Sequence, residues 1–243
     1  MKIFQKIKSP NGNRRIYILG VEVFSYQKKK TNKRTSLKIK GNLIKNTVKI
    51  PPKCPSFITI KGENNSVIFD SDCENVNLSI SIYGNHNSVH IKKSCTIQGV
   101  VTIGVSDTYT ENCTLCIGEN THINGMSVLM LEKGTKVSIG AECMFSDRVL
   151  LYASDTHSIL HDGHLINRGK SITIGEHVWL GHDVKVLKNT IIPDNCIVGM
   201  GSIVTKQFKD TNCVIAGNPA KIVKQNINWD IRRPDVYEKM IEK

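Results

Sequence analysis

An all-β solenoid, a chain wound into short stacked coils, is the fold that the sequence predicts, on three observations. Ile174, Leu180, Val186, Ile192, Val198 and Val204 are spaced by six without a break. Two residues before each stand Ile172, Val178, Val184, Thr190, Cys196 and Ser202, all small or β-branched. Gly175, Gly181 and Gly199 follow the aliphatic residue at three of the six steps. An α-helix would turn each sixth residue by about 600°, which leaves no common stripe. A single long strand would bury every second residue, yet Glu176, Lys188, Asp194 and Met200 fill the intervening positions. A coil of three flat faces fits, each face sending one aliphatic and one small residue inward and turning a corner where glycine or a polar residue is tolerated.

Taken in chain order, residues 1–53 form a basic N-terminal arm with 12 lysines and 3 arginines against the single acid Glu22, a net of +14. The other 190 residues are nearly neutral, with 18 basic and 20 acidic side chains. Within the arm, RRIYILGVEVF and TSLKIKGNLI alternate well enough for short strands that could cap the first coil. The run Lys28–Arg34, KKKTNKR, has no such structural role and suits an anionic surface, either a membrane leaflet or an acidic glycan.

Residues 54–225 carry the coils. Upstream of the unbroken stretch the phase recurs in Ile91, Ile97 and Ile103, in Ile117, Ile123 and Leu129, and in Ile139, Phe145 and Leu151. With 18 residues to a coil this predicts roughly seven coils, each about 4.8 Å tall. From Leu151 to Ile174 the beat fails for one coil plus a few residues, so a loop over 154–170 protrudes. Residues 226–243 make a short helical tail.

The remaining composition excludes several classes. No apolar run reaches the roughly 20 residues of a membrane-spanning helix, and MKIFQKIKSP lacks the apolar middle of a signal peptide; a cytoplasmic location, peripheral at the inner membrane face, is the expectation. Cys95, Cys143, Cys196 and Cys213 sit at the small inward position. Cys113 and Cys116 form a lone CxxC without a second pair, so the cysteines are core filler and no metal is expected. No P-loop or GxGxxG string is present, and nucleic acid is not an expected partner.

The repeats, the HVWLG and SIVTK steps and the closing AGNPAKIV resemble the hexapeptide-repeat acyltransferases, strongly over about residues 137–227 and fairly over 55–136. Within them the chain is most similar to the O-acetyltransferases that modify bacterial capsule and lipopolysaccharide sugars. The resemblance implies a left-handed parallel β-helix, a homotrimer with active sites between subunits, acetyl-coenzyme A as donor and a sugar or polysaccharide acceptor. It places the catalytic histidine at His157 and a tryptophan beside the thioester at Trp179. Histidine suits a base that takes a hydroxyl proton during acyl transfer. Asp155, two residues earlier, would leave the same face of an extended backbone and hold the imidazole. His161 and His164 in the same loop are read as surface or acceptor contacts.

Coenzyme A recognition is expected from open backbone at Gly181, Gly199 and Gly201, with His182 and Met200 lining the path and Thr205 and Lys206 at its adenine end. Asn218, Pro219, Lys221 and Lys224 belong to the terminal segment that family members use on the phosphates. Three alternatives remain at this point: a sugar N-acetyltransferase of the same fold, a metalloenzyme similar to gamma-class carbonic anhydrases built on His157, His177 and His182, and a non-catalytic polysaccharide-binding trimer. The acceptor sugar, its hydroxyl and the oxyanion donor are not readable from the residues.

Overall fold

In a computed structural model, the backbone is described for strands Phe4–Lys8, Asn13–Ile18 and Val21–Gln27 and for residues 38–242, and side chains for 39–242. The chain divides into two units, Met1–Thr35 and Ser36–Lys243. In the first, the three strands pair antiparallel in chain order. The cationic run Lys28–Arg34 lies outside the described residues.

The second unit is a three-sided parallel β-solenoid of about eight coils. Face three is a ladder of seven strands, running from Thr47–Lys49 through Ser66–Phe69, Ser88–Ile91, Thr114–Ile117, Lys136–Ile139 and Ile172–Ile174 to Ile191–Ile192. Faces one and two run together in the long strands Asn75–Asn85, Thr96–Ile103 and His122–Met130. They then separate, into Met144–Phe145, Trp179–Leu180, Ile197–Val198 and Val214–Gly217 on face one, and Val149–Tyr152, Lys185–Leu187 and Ile203–Val204 on face two. A final antiparallel strand, Ala220–Lys224, closes the stack, and the helix Pro234–Ile241 ends the described tail.

All twelve inward positions expected between Ile172 and Val204 are buried. A residue and its counterpart six places on occupy successive faces, and one eighteen on stacks directly above, so the aliphatic side chains form three columns that dehydrate one another. Upstream, Leu129 departs from expectation. The ladder shifts register after Ile97, where Gly99 faces Met126, so Val128 and Met130 point inward and Leu129 outward. One extra residue near Gly125 flips every later side chain of that strand.

The boundary drawn at residue 53 falls inside the solenoid, because Lys38–Lys40 pairs with Phe57–Lys61 and Thr47–Lys49 with Ser66–Phe69. That early coil raises the count from seven to about eight. Its lysines masked the pattern, with Lys40, Lys45 and Lys49 exposed while Asn46 supplies the inward corner. Asn46, Asn65 and Asn87 stack there as a buried ladder. Asn65 Nδ2 donates to Asn46 Oδ1 at 3.0 Å, Asn87 Nδ2 to Asn65 Oδ1 at 3.0 Å, and each also bonds a main-chain carbonyl. Buried amides so paired fix the register of the coils. At the edge between faces three and one, Cys54, Cys73, Cys95, Cys143, Cys196 and Cys213 form a second inner column, all free thiols. Burial pushes Cys95 and Cys143 up to about 12, which keeps them protonated.

Candidate active site

The interruption after Leu151 is a loop on the edge between faces two and three. It leaves face two after Tyr152 and re-enters face three at Ile172. Its two ends are pinned together, Lys170 N–H donating to Ala153 O at 3.0 Å and Gly169 N–H to Glu132 Oε2 at 2.8 Å. The tip is a small hairpin, Leu160–His161 against His164–Leu165, turned by Asp162 and Gly163 at φ +49° and +76°. An Asp-Gly pair suits a two-residue turn with both φ values positive. His161 and His164 are thereby carried outward on an exposed tip.

His157 stands at the root. Its N–H donates to Asp155 O at 2.7 Å around Thr156, whose φ is +68°. This is a γ-turn of the rare hand, and a β-branched residue there is strained. Surrounding bonds hold it: Tyr152 OH meets Thr156 Oγ1 at 2.5 Å, and Asn167 Nδ2 donates to His157 O at 2.7 Å. The main chain of His157 is clamped while the residue itself stays exposed. Backbone strain of this kind persists only where the surrounding structure over-determines it.

Asp155 does not orient the imidazole as expected. Its Oδ2 accepts from Lys188 Nζ at 2.5 Å and from Asn167 Nδ2 at 2.9 Å, and Lys188 also donates to Asn167 O at 2.7 Å. The Lys188 hydrogen bond, with that of Asn167, holds the Asp155 carboxyl below its ordinary value. The same-face expectation required extended backbone, and the turn at Thr156 breaks it. Asp155 and Lys188 instead fasten the root of the loop to the next coil.

The expected cofactor residues divide between two edges. Gly181, His182, Gly199, Met200 and Gly201 lie at the edge between faces one and two, where Gly201 N–H donates to His182 O at 2.9 Å. Gly181 is a close approach, since a Cβ there would sit 2.7 Å from Met200 N. Met200 is 75% exposed, and the hairpin turn holding Asn218 and Pro219 joins this edge through Gly217 N–H to Ser202 Oγ at 3.1 Å. Thr205 and Lys206 follow one face later, at the edge that bears His157, and Gln207 donates across to Asn189 Oδ1 at 3.1 Å. Six residues is one face, so Met200 and Lys206 stand on successive edges of one chain. Lys221 and Lys224 are exposed on the closing strand.

Trp179 lies on face one, half-buried, and its indole N–H is buried without an acceptor among the described residues. An unpaired buried donor costs about 1–3 kcal/mol. Trp229, which sequence reading left aside, packs near it at 6.0 Å between ring centroids. Trp229 also stacks on His177 at 4.2 Å and donates its indole N–H to His177 O at 2.8 Å. The contact joins residues 52 apart, so only its rarity as one of two tryptophans signalled it. His177, His182 and His157 occupy three different edges, and His177 is spent on Trp229 and on Asn195 Oδ1 at 3.1 Å. One chain therefore does not gather them around a metal.

Comparison with known proteins agrees with the fold. The family model described as bacterial transferase hexapeptide (six repeats) matches residues 171–206. A polysialic acid O-acetyltransferase of Neisseria meningitidis is 39% identical over 174 residues, covering 71% of this chain and 78% of the relative. Among solved structures, the polysialic-acid-specific acetyltransferase NeuO superposes with a TM-score of 0.73 at 31% identity, over 82% of this chain and 84% of that one. The polysialic acid O-acetyltransferase OatWY does so with a TM-score of 0.70 at 33% identity, over 83% and 98%.

Proposed function

This chain belongs to the hexapeptide-repeat sugar O-acetyltransferases of bacterial capsule, left-handed parallel β-helices, and from that premise we propose that it moves acetyl from acetyl-coenzyme A to a hydroxyl of a sialic acid in a capsular polymer, with His157 as general base. The observation that carries the assignment is the strained turn at Thr156, which presents His157 at the root of the longest interruption of the solenoid among the described residues. An imidazole so held can take the hydroxyl proton as the oxygen attacks the acetyl carbon and return it to the departing thiolate. Asp155, Lys188 and Asn167 position the loop. The acceptor class rests on the relatives, whose names specify polysialic acid.

The divided cofactor residues support a homotrimer. On a three-sided prism, three-fold packing sets the edge bearing His157, Thr205 and Lys206 of one copy against the edge bearing Gly181, His182, Met200 and Gly201 of its neighbour. The donor's extended amides then meet open backbone from one chain and the lysines of the other. Peripheral attachment of the basic arm to an anionic surface belongs to the same proposal.

The test is turnover of polysialic acid with acetyl-coenzyme A. His157→Ala lowers kcat by about 10²–10⁴, the range for a general base, with the donor KM and particle size unchanged. Met200→Trp, which fills the facing edge, is also inactive. Mixed particles of the two variants regain activity that neither has alone. Wild-type-like turnover by His157→Ala would remove the base assignment, and failure of mixing to restore activity would remove the shared cleft.

A further inference from the structure

Two turns on the same edge as the catalytic loop enclose a cleft that neither the proton transfer nor the donor path uses. One is the segment 104–112, which leaves face two after Ile103 and is braced by the Val105–Thr108 bridge. The other is the 131–135 turn one coil further on, and the returning leg of the catalytic loop, Arg168 and Gly169, forms the third wall. The cleft has a volume of about 390 Å³. The three walls belong to three successive coils, so the cleft extends roughly 10 Å along the axis below the root of the loop.

Its chemistry is specific. Arg168 and Lys133 line it, both exposed, and neither enters an ion pair among the described residues. Tyr109 is 53% exposed and set edge-on against Tyr83 at 6.4 Å, so its position is fixed while its surface stays open. The one carboxylate in the cleft, Glu132, accepts the Gly169 amide with one oxygen, so Arg168 and Lys133 leave the lining with a net positive charge. A guanidinium fork, a second cation and a fixed aromatic plate fit a sugar bearing a carboxylate: the charges hold the anion and the ring covers an apolar sugar face. A lone neutral hexose would leave both cations unanswered.

We propose that this cleft is a distal acceptor subsite, binding the carboxylate of a sugar residue further along the polymer than the one acetylated at His157. The proposal deepens the acidic-polymer reading above and rests on it. It accounts for one cation on the returning leg of the loop, Arg168, and a second, Lys133, on the turn beside it. A chain threaded along the edge puts one residue at the strained turn and a later one between Tyr109 and Arg168. The enzyme then favours long chains over short ones, with the preference set by KM.

The experiment compares acetyl transfer to a sialic acid dimer and to a long polysialic acid, using wild type, the Arg168→Gln/Lys133→Gln double variant and Tyr109→Ala, all full length. The double variant raises KM for the long polymer by about tenfold, the size expected for losing charge-assisted bonds. Its kcat, its KM for acetyl-coenzyme A and its turnover of the dimer stay as in wild type, and the difference shrinks in high salt. Tyr109→Ala raises the polymer KM less and without salt dependence. An unchanged polymer KM in the double variant, or an equal rise for the dimer, overturns the subsite while leaving the catalytic reading in place. Absence of transfer to both sialyl acceptors by wild type overturns the acceptor assignment and the subsite together.

Discussion

Between Ile172 and Val204 two inward side chains in every six are buried on a regular beat, whereas between Asp155 and Lys170 none is. The two segments adjoin in sequence and are held by different forces. In the first, each aliphatic residue is dehydrated by its counterparts one coil above and below, and the backbone bonds run to neighbouring strands. In the second, order comes from a few directed bonds: Lys188 to Asp155 and Asn167, Asn167 to His157, Gly169 to Glu132. Burial makes a rigid wall, and directed bonds on that wall aim one histidine. Stability and activity should therefore respond to different substitutions.

The largest test of that separation is in the wall. Phe145 is fully buried on face one between Ile123 and Leu180. Phe145→Ala removes a core side chain and costs about 3–5 kcal/mol, which lowers Tm by about 10 °C. The kcat of the folded fraction stays near wild type, since Phe145 touches no part of the loop. A kcat loss larger than tenfold, measured well below the Tm, would show that wall and loop are coupled.

Next in size is the anchor. Lys188→Met deletes the donor to Asp155 Oδ2 and to Asn167 O while keeping the aliphatic stem. The pair is partly exposed, so the loss is on the order of 1 kcal/mol, read as a several-fold fall in kcat with Tm almost unmoved. The acid side follows with a definite sign. The folded carboxyl of Asp155 lies below its ordinary 3.8, chiefly through Lys188. Its contribution is thus fully present above that value and is lost as pH falls through the lower folded one. Protease cleavage within 154–170 should be slow and flat from neutrality to about pH 5, rising only in stronger acid. A rise centred near neutrality would mean that the anchor is some other group.

The same contrast governs how much the sequence could show. Burial on a fixed period is legible because it repeats, so Leu180, Val186 and Val198 could be placed from spacing alone. Leu129 could not, because a single inserted residue near Gly125 leaves no mark in composition yet flips the strand. The first coil was hidden by Lys38, Lys40, Lys45 and Lys49, whose charge read as an arm. In the loop, His157 is a candidate by resemblance alone, and the expected side-by-side placement of Asp155 fails because the left-handed turn at Thr156 has no glycine to announce it. Lys206 and Met200 were expected on one path, although the six-residue period itself puts them on different edges. Contacts between distant segments, such as Trp229 on His177, have no period at all.

That last contact gives the smallest and most local test. The segment 225–233 returns along the edge between faces three and one, and the helix Pro234–Ile241 beyond it buries none of its residues. Its first turn is conventional, with Pro234 where no N–H is needed and Asp235 beside the free amides. What fastens this segment to the solenoid is Trp229, stacked on the His177 ring and donating to its carbonyl, with Ile227 N–H bonded to Asn212 O at 2.9 Å one step earlier. Stacking and one hydrogen bond are worth about 1 kcal/mol each. Trp229→Phe keeps the stack and loses the donor, while Trp229→Ala loses both. Limited proteolysis beyond residue 225 should therefore accelerate in the order wild type, Phe, Ala, with the solenoid Tm falling by no more than about 2–4 °C. If Ala and Phe are cleaved at the same rate, the hydrogen bond alone holds the tail and the stack contributes nothing. If neither differs from wild type, Trp229 does not fasten the tail, and its contact with Trp179 is what remains of its role.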